Sequence, residues 1–449
     1  VSVAANTLPP GPTEPAALQL ARWYLGLPKF LQSCHRRYGD TFTVRMPVFG
    51  KFVVLSRLDE VRQVLRAPAE TFDGGGPYSI FSSTFGPAST IAATGAEHRR
   101  SRKTLGRCMR GEAAARARMI RDAVRYYVNE SPEGEPILLR SLMETVTLAV
   151  IARTAVGLSP GPEVARLLMK LRRIRNPMEY ALWRRFFPWL GNSVGRRDVF
   201  GWIDEKIAER RASLNSEVAS GDARGDVPGD ALDDLIAAVG PDGEPKSDEA
   251  IRADILLMLM AGHGTTAVSL CWALLLILDH PESAARVREE LASGAEISAP
   301  SGFEYLDAAV METLRTRPAA PLIFRRLAEP MEVGGVRIPE GVTLAPCPLL
   351  LHQREDVFPE AGRFKPERFL DGSVEHDAWL AFGGSFRRCL GAQFAQLEMR
   401  VVLATLLSEF DVELNASSEG AVVRHPGRFI FSPSEKLTLT CRRTSGPAN

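Results

Sequence analysis

A chain of 449 residues, 45% apolar and 24% charged, carries enough apolar material for one large core, and no break in composition divides it, so we expect a single domain over residues 1–449 behind a Pro-rich segment at 1–15. Its 55 basic and 54 acidic side chains leave a net charge of +1, which excludes a global pull towards nucleic acid or anionic lipid. Six cysteines, at 34, 108, 271, 347, 389 and 441, form no Cys-x-x-Cys pair; this spacing argues against a zinc site or a disulfide scaffold and for a reducing compartment, the cytoplasm.

Residues 1–20 show no secretory signal and no membrane anchor. After the opening Leu8-Pro9-Pro10-Gly11-Pro12, a helical stretch ends at Tyr38-Gly39-Asp40, and residues 41–46 and 51–55, split by Pro47 and Gly50, predict a hairpin. From 59 to about 215 the spacing of apolar residues is mainly helical, as in Val61-Val64-Leu65 and Met143-Val146-Ile151. The exception is 72–89, rich in Gly, Ser, Pro and Phe, which predicts a long loop of the kind often used for function. The stretch 172–189 mixes Arg with Trp183, Phe186, Phe187 and Trp189 and suits a lid over a substrate entrance, and 221–230 reads as a surface linker.

Further helices are predicted at 231–239, 247–278, 281–291 and 303–315. The run 255–278 is long enough to span a membrane, but Gly262, His263, Gly264 and Thr265 interrupt it, and a buried helix through a soluble core fits better. Short strands are expected in 331–345 around Gly334-Gly335, irregular chain over 346–385, a helix over 391–409 and a β-rich tail over 422–442. The expected fold class is mainly α with a small β region drawn from both ends.

Four groups of residues carry chemistry. Phe382-Gly383-Gly384-Ser385-Phe386-Arg387-Arg388-Cys389-Leu390-Gly391 precedes the helix at 391–409, so a Cys389 thiolate would lie at a helix N-terminus, where amide groups stabilise negative charge. Taken alone, Cys389 is as readily a buried structural cysteine. Glu312-Thr313-Leu314-Arg315 is a pair at i, i+3, common on exposed helices. His98 and Arg102, at i, i+4, can point at one anionic group. Ala261-Gly262-His263-Gly264-Thr265-Thr266 sets two glycines and two hydroxyls inside an apolar helix, although Gly costs about 1 kcal/mol against Ala there. That local cost suggests that the backbone opens for a ligand.

Together, in this order, the groups resemble the cytochrome P-450 family over essentially the whole chain, as a soluble bacterial-type member. The resemblance implies a single domain with haem b between the long central helix and the Cys389 loop, Cys389 being the axial thiolate ligand. It implies that Phe382 packs near the sulfur, that Gly391 and Ala261 lie against the porphyrin, and that His98, Arg102, Arg325 and Arg387 hold the propionates. Ser385 stands where the family usually has Gly. Glu312, Arg315 and Arg368, the last in Pro366-Glu367-Arg368-Phe369, correspond to a buried network behind the haem. Thr265 corresponds to the threonine that helps deliver protons during oxygen activation, but the acidic position beside it is Gly264, which leaves proton delivery to water, to His263 or to a substrate group.

The implied reaction is monooxygenation of a hydrophobic small molecule by dioxygen, a fatty acid, terpenoid or steroid being the guess. Phe72, Tyr78, Ile80, Phe81, Phe85, Leu322, Ile323 and Phe429 or Ile430 are candidate pocket residues. Electrons would come from a ferredoxin or flavodoxin and its reductase, docked on the basic surface of Arg99, Arg100, Lys103, Arg107 and Arg110. A monomer without an integral membrane anchor is expected. Two alternatives remain at this point. A haem-thiolate binding or sensor protein without oxygen chemistry is supported by Gly264 alone. A dinucleotide site is suggested by Gly262-His263-Gly264-Thr265-Thr266-Ala267 with Glu282 beyond it, but the chain there is too short for a βαβ unit of about 30 residues.

Overall fold

The computed structural model describes residues 8–47, 49–73, 81–174, 193–220, 230–240, 243–299, 301–415 and 432–443. Helix α1 (Ala16–Tyr38) kinks at Gly26, near Pro28, and ends at Gly39, whose φ of 88° stops it. The Pro-rich opening lies along the first strand: Thr43 donates its amide to Pro10 O and its hydroxyl to Pro9 O, at 2.9 and 2.7 Å. The two backbones are so close there that a Cβ on Gly11 would sit 1.9 Å from Thr43 O, so only glycine fits.

The hairpin forms as expected, β1 (Thr41–Met46) antiparallel to β2 (Gly50–Leu55), with Met46 opposite Gly50. It is one edge of a five-stranded sheet in the order β1-β2-β8-β5-β3, where β3 is Phe72–Asp73, β5 Arg325–Leu327 and β8 Thr343–Pro346. The β2–β8 pairing is parallel and joins two segments far apart in the chain. Within the stretch expected to be a loop, the described part contains β3 and a short helix, α3 (Ser82–Phe85), after α2 (Leu58–Arg66). No strand was expected at Arg325; pairing with both β3 and β8 makes it one.

The helical body follows: α4 (Gly95–Cys108), α5 (Ala113–Asn129), α6 (Leu139–Val156), α7 (Pro162–Arg172), α8 (Ser193–Ser220), α9 (Ala231–Ile236), α10 (Asp248–Asp279), α11 (Pro281–Ala292), α12 (Glu304–Thr316), α13 (Pro348–Leu351) and α14 (Ala392–Glu409). A second sheet sets β10 (Thr438–Arg443) between β4 (Ile137–Leu138) and β9 (Phe410–Leu414), and β6 (Met331–Val333) pairs with β7 (Val336–Ile338) through the Gly334-Gly335 turn. Part of the expected β tail, the aromatic stretch from 175 onward and most of the linker at 221–230 lie outside the described residues.

Helix α10 organises the body. Ser247 caps it, accepting from Ala250 N, and Asp248 and Glu249 suit its positive N-terminal end. It is the one described helix long and apolar enough to cross a membrane, yet Leu259, Leu270, Cys271, Leu274 and Ile277 are wholly buried in the main core. α10 packs most extensively on α6, and Gly262 permits that closeness, because a Cβ there would lie 2.7 Å from Ile151 Cγ1.

Candidate active site

The cysteine loop is closed by short backbone bonds: Cys389 N donates to Phe382 O at 2.8 Å, Arg388 N to Ser385 O at 3.0 Å and Gly383 N to Leu380 O at 2.9 Å. To make this turn, Gly383 takes φ 69° and Ser385 φ 61°. The left-handed region explains why glycine would suit position 385, and the serine there bears a strain of about 1 kcal/mol. Phe382 stacks edge-on against Trp379, 5.7 Å between centroids. Gly391 caps α14, and a Cβ on it would meet only Met109 Cε at an ordinary 3.6 Å.

Cys389 differs from the other five cysteines. Those are buried, with thiol pKa values pushed up by burial to about 11 at Cys34 and Cys441 and about 12 at Cys108, Cys271 and Cys347. Cys389 has an exposed side chain although protein crowds round it, which is the signature of a sulfur lining an internal cleft. Burial raises its pKa, while the Gly391 amide and the charges of Arg102 and Arg388 pull it down.

Four cationic or titratable side chains from three elements converge beside this loop. His98 is buried on α4; its pKa is pushed down to about 4 by burial first, then by the charges of Arg387, Arg102, Arg325 and Arg99. Arg102 Nη2 donates to Arg388 O at 2.7 Å. Arg325, buried at the start of β5, donates to Phe324 O and Gly384 O, each at 2.9 Å, with its guanidinium 5.0 Å over the Phe386 ring. Arg387 donates to Ile91 O and Ala93 O at 3.1 and 3.0 Å. Positive charge gathered this densely, bonded here to neutral carbonyls, calls for an anion, so the donor set fits the two propionates of haem.

The opposite wall is α10. Its residues are buried through Met258 and Leu259 and again from Thr266, but Ala261 is exposed and Gly262 to Thr265 are half-exposed. Such a window in a core helix marks a cleft. The hydroxyl of Thr265 turns back to Ala261 O at 2.8 Å, and beyond the adjoining residues and α10's own backbone nothing lies within 4 Å of a Cβ built on Gly264. His263 stands apart from Thr265. Helical geometry turns about 100° per residue, which carries His263 to the far side of α10 from both Ala261 and Thr265; there its Nδ1 meets Leu259 O at 2.6 Å and Glu144 and Arg172 act on its charge. It therefore does not face the cleft beside Thr265, as grouping the two in one catalytic set would imply.

The segment 89–93 ties the two walls together. Arg387 of the cysteine loop holds its carbonyls, and Asp254 of α10, fully buried, accepts from Thr90 N at 2.9 Å, Thr90 Oγ1 at 2.8 Å and Lys246 Nζ at 2.8 Å. No sequence motif marked Asp254 or Thr90.

Behind the loop Glu312, Arg315 and Arg368 are bonded together. Arg315 makes a two-pronged bond to Glu312, 2.6 and 2.7 Å, and Arg368 Nε and Lys365 N reach the same carboxylate at 3.2 and 2.9 Å. Further guanidinium hydrogens go to the carbonyls of His352, Ala361, Arg363, Pro359 and Glu360. His352, missed in the sequence, belongs to this network: its Nδ1 bonds Arg315 O at 3.1 Å and its Nε2 accepts from Leu380 N at 2.9 Å. It thus joins the network to the chain entering the cysteine loop.

The pocket residues divide. Phe85 is buried and Phe81 half-buried, their rings 6.0 Å apart, on an α3 that touches α10. Tyr78, Ile80, Phe429 and Ile430 lie outside the described residues. Phe72, Leu322 and Ile323 are buried much as Phe85 is, in the apolar clusters about the five-stranded sheet, Phe72 stacked on Phe386 at 6.2 Å. Arg99, Arg100, Lys103, Arg107 and Arg110 are all exposed; the first four lie on α4, which also carries His98 and Arg102, and Arg110 follows its end.

Comparison with known proteins bears on this geometry. The family model described as Cytochrome P450 matches residues 9–439. A "Putative cytochrome P450 135B1" of Mycobacterium tuberculosis is 32% identical over 441 residues, 97% of this chain and 92% of that protein. A "Putative cytochrome P450 137" of the same species is 32% identical over 384 residues, 83% of this chain and 77% of that protein. Among solved structures, "Retinoic acid bound cyanobacterial CYP120A1" superposes with a TM-score of 0.81 at 24% identity, covering 98% of this chain and 100% of that one, a likeness of fold.

Proposed function

This chain belongs to the cytochrome P450 family and is a haem monooxygenase, an oxidoreductase, and from that premise we propose its substrate class, its partners and the roles of its residues. The substrate is a hydrophobic, lipid-like molecule that enters beside Phe81, Phe85 and the window at Ala261–Thr265. Because one protein of this fold carries retinoic acid, retinoid-like terpenoids are the first compounds to try.

When bound, haem supplies the iron at which dioxygen is reductively activated, so that one oxygen atom enters the substrate and the other leaves as water. The chain supplies the rest. Cys389 would hold the iron through its thiolate, Phe382 would shield the sulfur, and Gly391 and Ala261 would flank the macrocycle. Arg102, Arg325 and Arg387 would neutralise the propionates and His98 would offer one of them a hydrogen bond, while the network of Glu312, Arg315 and Arg368 keeps the loop in register. Thr265 would face the bound dioxygen, and its hydroxyl could leave Ala261 O to pass on a proton.

Two electrons per turnover arrive from a ferredoxin or flavodoxin and its reductase. The exposed cations of α4 are the docking face, next to the loop that bears the thiolate, and salt weakens the encounter. The protein works as a monomer in the cytoplasm. The observation that carries the reading is the convergence of three arginines and His98 beside the one exposed cysteine. Titration of the ferric protein with fatty acids, terpenoids and steroids tests the substrate class: a Soret shift with a saturable midpoint is expected for at least one class, and its absence in all three refutes the lipid-like assignment.

A further inference from the structure

The stretch from α3 to Ala93 is bonded into one piece. Gly86 N donates to Ser82 O at 2.9 Å, Ser89 N and Oγ donate to Gly86 O at 3.3 and 2.9 Å, and Ala92 N and Ala93 N donate to Ser89 O at 3.0 and 3.1 Å. One end of this piece is gripped by Arg387 through the carbonyls of Ile91 and Ala93. Its middle is fixed to α10. Both donors of Thr90 fall on one oxygen of Asp254, N at 2.9 Å and Oγ1 at 2.8 Å, and the other oxygen takes Lys246 Nζ at 2.8 Å. Ser89, Thr90 and Asp254 are buried, so water does not compete for these bonds.

The place of Asp254 on α10 gives the contact its consequence. Ala261 stands about two turns on and Thr265 about three, and at about 100° per residue both return to within about 20° of the Asp254 direction. Thr90 is therefore tied to the face of α10 that carries the window, about 10 Å along the axis from Ala261. Gly86 sits against the same helix, a Cβ on it lying 3.9 Å from Ala253 Cβ, and α3 touches α10. The piece that bears Phe85, with Phe81 at its start, is thus pinned just ahead of the window.

We propose that Thr90 and Asp254 form a clasp that holds α3 against α10 and so sets the size of ligand that reaches the window: small ligands pass the closed clasp, and bulky ones wait for it to open. The inference rests on the monooxygenase reading above. Thr90 and Asp254 are positioning residues, acting through Phe81 and Phe85. Opening breaks only the two bonds from Thr90; Lys246 stays on Asp254, so the buried carboxylate keeps its counter-charge.

The test mixes the ferric holoprotein in stopped flow with imidazole and with phenylimidazole, each read by the Soret shift of a nitrogen ligand on the iron. In the unsubstituted protein the imidazole rate rises in proportion to concentration, whereas the phenylimidazole rate levels off at the rate of clasp opening. Thr90→Val keeps the shape and the amide bond but lacks the hydroxyl donor. It raises the plateau about tenfold, the low end for a bond to a charged group, and leaves the imidazole rate unchanged; Thr90→Ser returns the plateau to its original level. Hydrogen exchange read by mass spectrometry quickens over 82–93 in Thr90→Val and stays the same in α12. Rates proportional to concentration for both ligands in the unsubstituted protein overturn the proposal, even where Thr90→Val fails to take up haem. An unmoved plateau in a haem-loaded Thr90→Val overturns it too, as does equal acceleration of both ligands, the mark of a general loss of stability. A missing thiolate-type band in the reduced carbon monoxide form of the unsubstituted protein instead refutes the reading on which the proposal rests.

Discussion

His352 gives the fold an acid-sensitive joint whose size follows from its surroundings. It is fully buried, and its pKa is pushed from the ordinary 6.5 down to about 3, by burial first and by the Arg315 charge second. Its Nε2 accepts the Leu380 amide, so a proton on Nε2 breaks that bond and sets two donors face to face. A depressed folded-state pKa means that the unfolded chain binds the proton first. The stability contribution is therefore whole above about pH 6.5 and shrinks as the pH falls towards about 3. Between pH 8 and pH 5 the loss from this one side chain is about 2 kcal/mol, since each pH unit below the unfolded pKa is worth about 1.4 kcal/mol. Guanidinium unfolding followed by circular dichroism, on the holoprotein and on His352→Gln, measures it. Glutamine keeps a donor and an acceptor but does not titrate, so the pH dependence of the variant should be flatter by about 2 kcal/mol over that range. His98, with a pKa near 4, titrates in the same direction in both proteins and cancels from the comparison. Equal pH slopes in the two proteins would refute the reasoning.

Three other outcomes are expected. Arg315→Ala leaves Glu312 buried with half its partners gone and should cost about 3–5 kcal/mol; a smaller loss with haem fully retained, read by thermal unfolding and the haem-to-protein absorbance ratio, would contradict the network. Ser385→Gly relieves a left-handed residue and should stabilise the folded state by up to about 1 kcal/mol after glycine's own entropy cost; a lower melting temperature would show that the serine side chain contributes more than its strain. Replacing Arg99, Arg100 and Lys103 by Gln should slow reduction by an acidic ferredoxin at low salt and flatten the salt dependence in stopped-flow measurements; an unchanged profile would move the docking face elsewhere.

What the sequence made legible is what local spacing encodes. The cysteine loop, the Glu312–Arg315 pair and the His98–Arg102 pair keep their chemistry within a few residues of each other, and the helix boundaries around α10 and α14 follow from apolar periodicity and caps. Arg368 joined its partners only through resemblance, yet the structure bonds it to Glu312. Contacts between distant segments had no such signal. His352 bridges Arg315 to Leu380, Asp254 holds Thr90, and β5 exists because two remote strands pair with it. Sidedness was equally hidden. His263, two residues from Thr265, is turned away from it by the pitch of the helix. The Ser385 departure was visible, but its physical reason, a backbone angle of φ 61°, was not.

The role of Cys389 is the claim on which everything else depends, and one spectrum tests it. The dithionite-reduced protein under carbon monoxide is compared with Cys389→Ser, haem content being measured in both. A strongly red-shifted Soret band in the unsubstituted protein, absent from the variant, is the predicted result. An unshifted band in intact, haem-loaded protein, or an identical band in the two, would contradict thiolate ligation by Cys389.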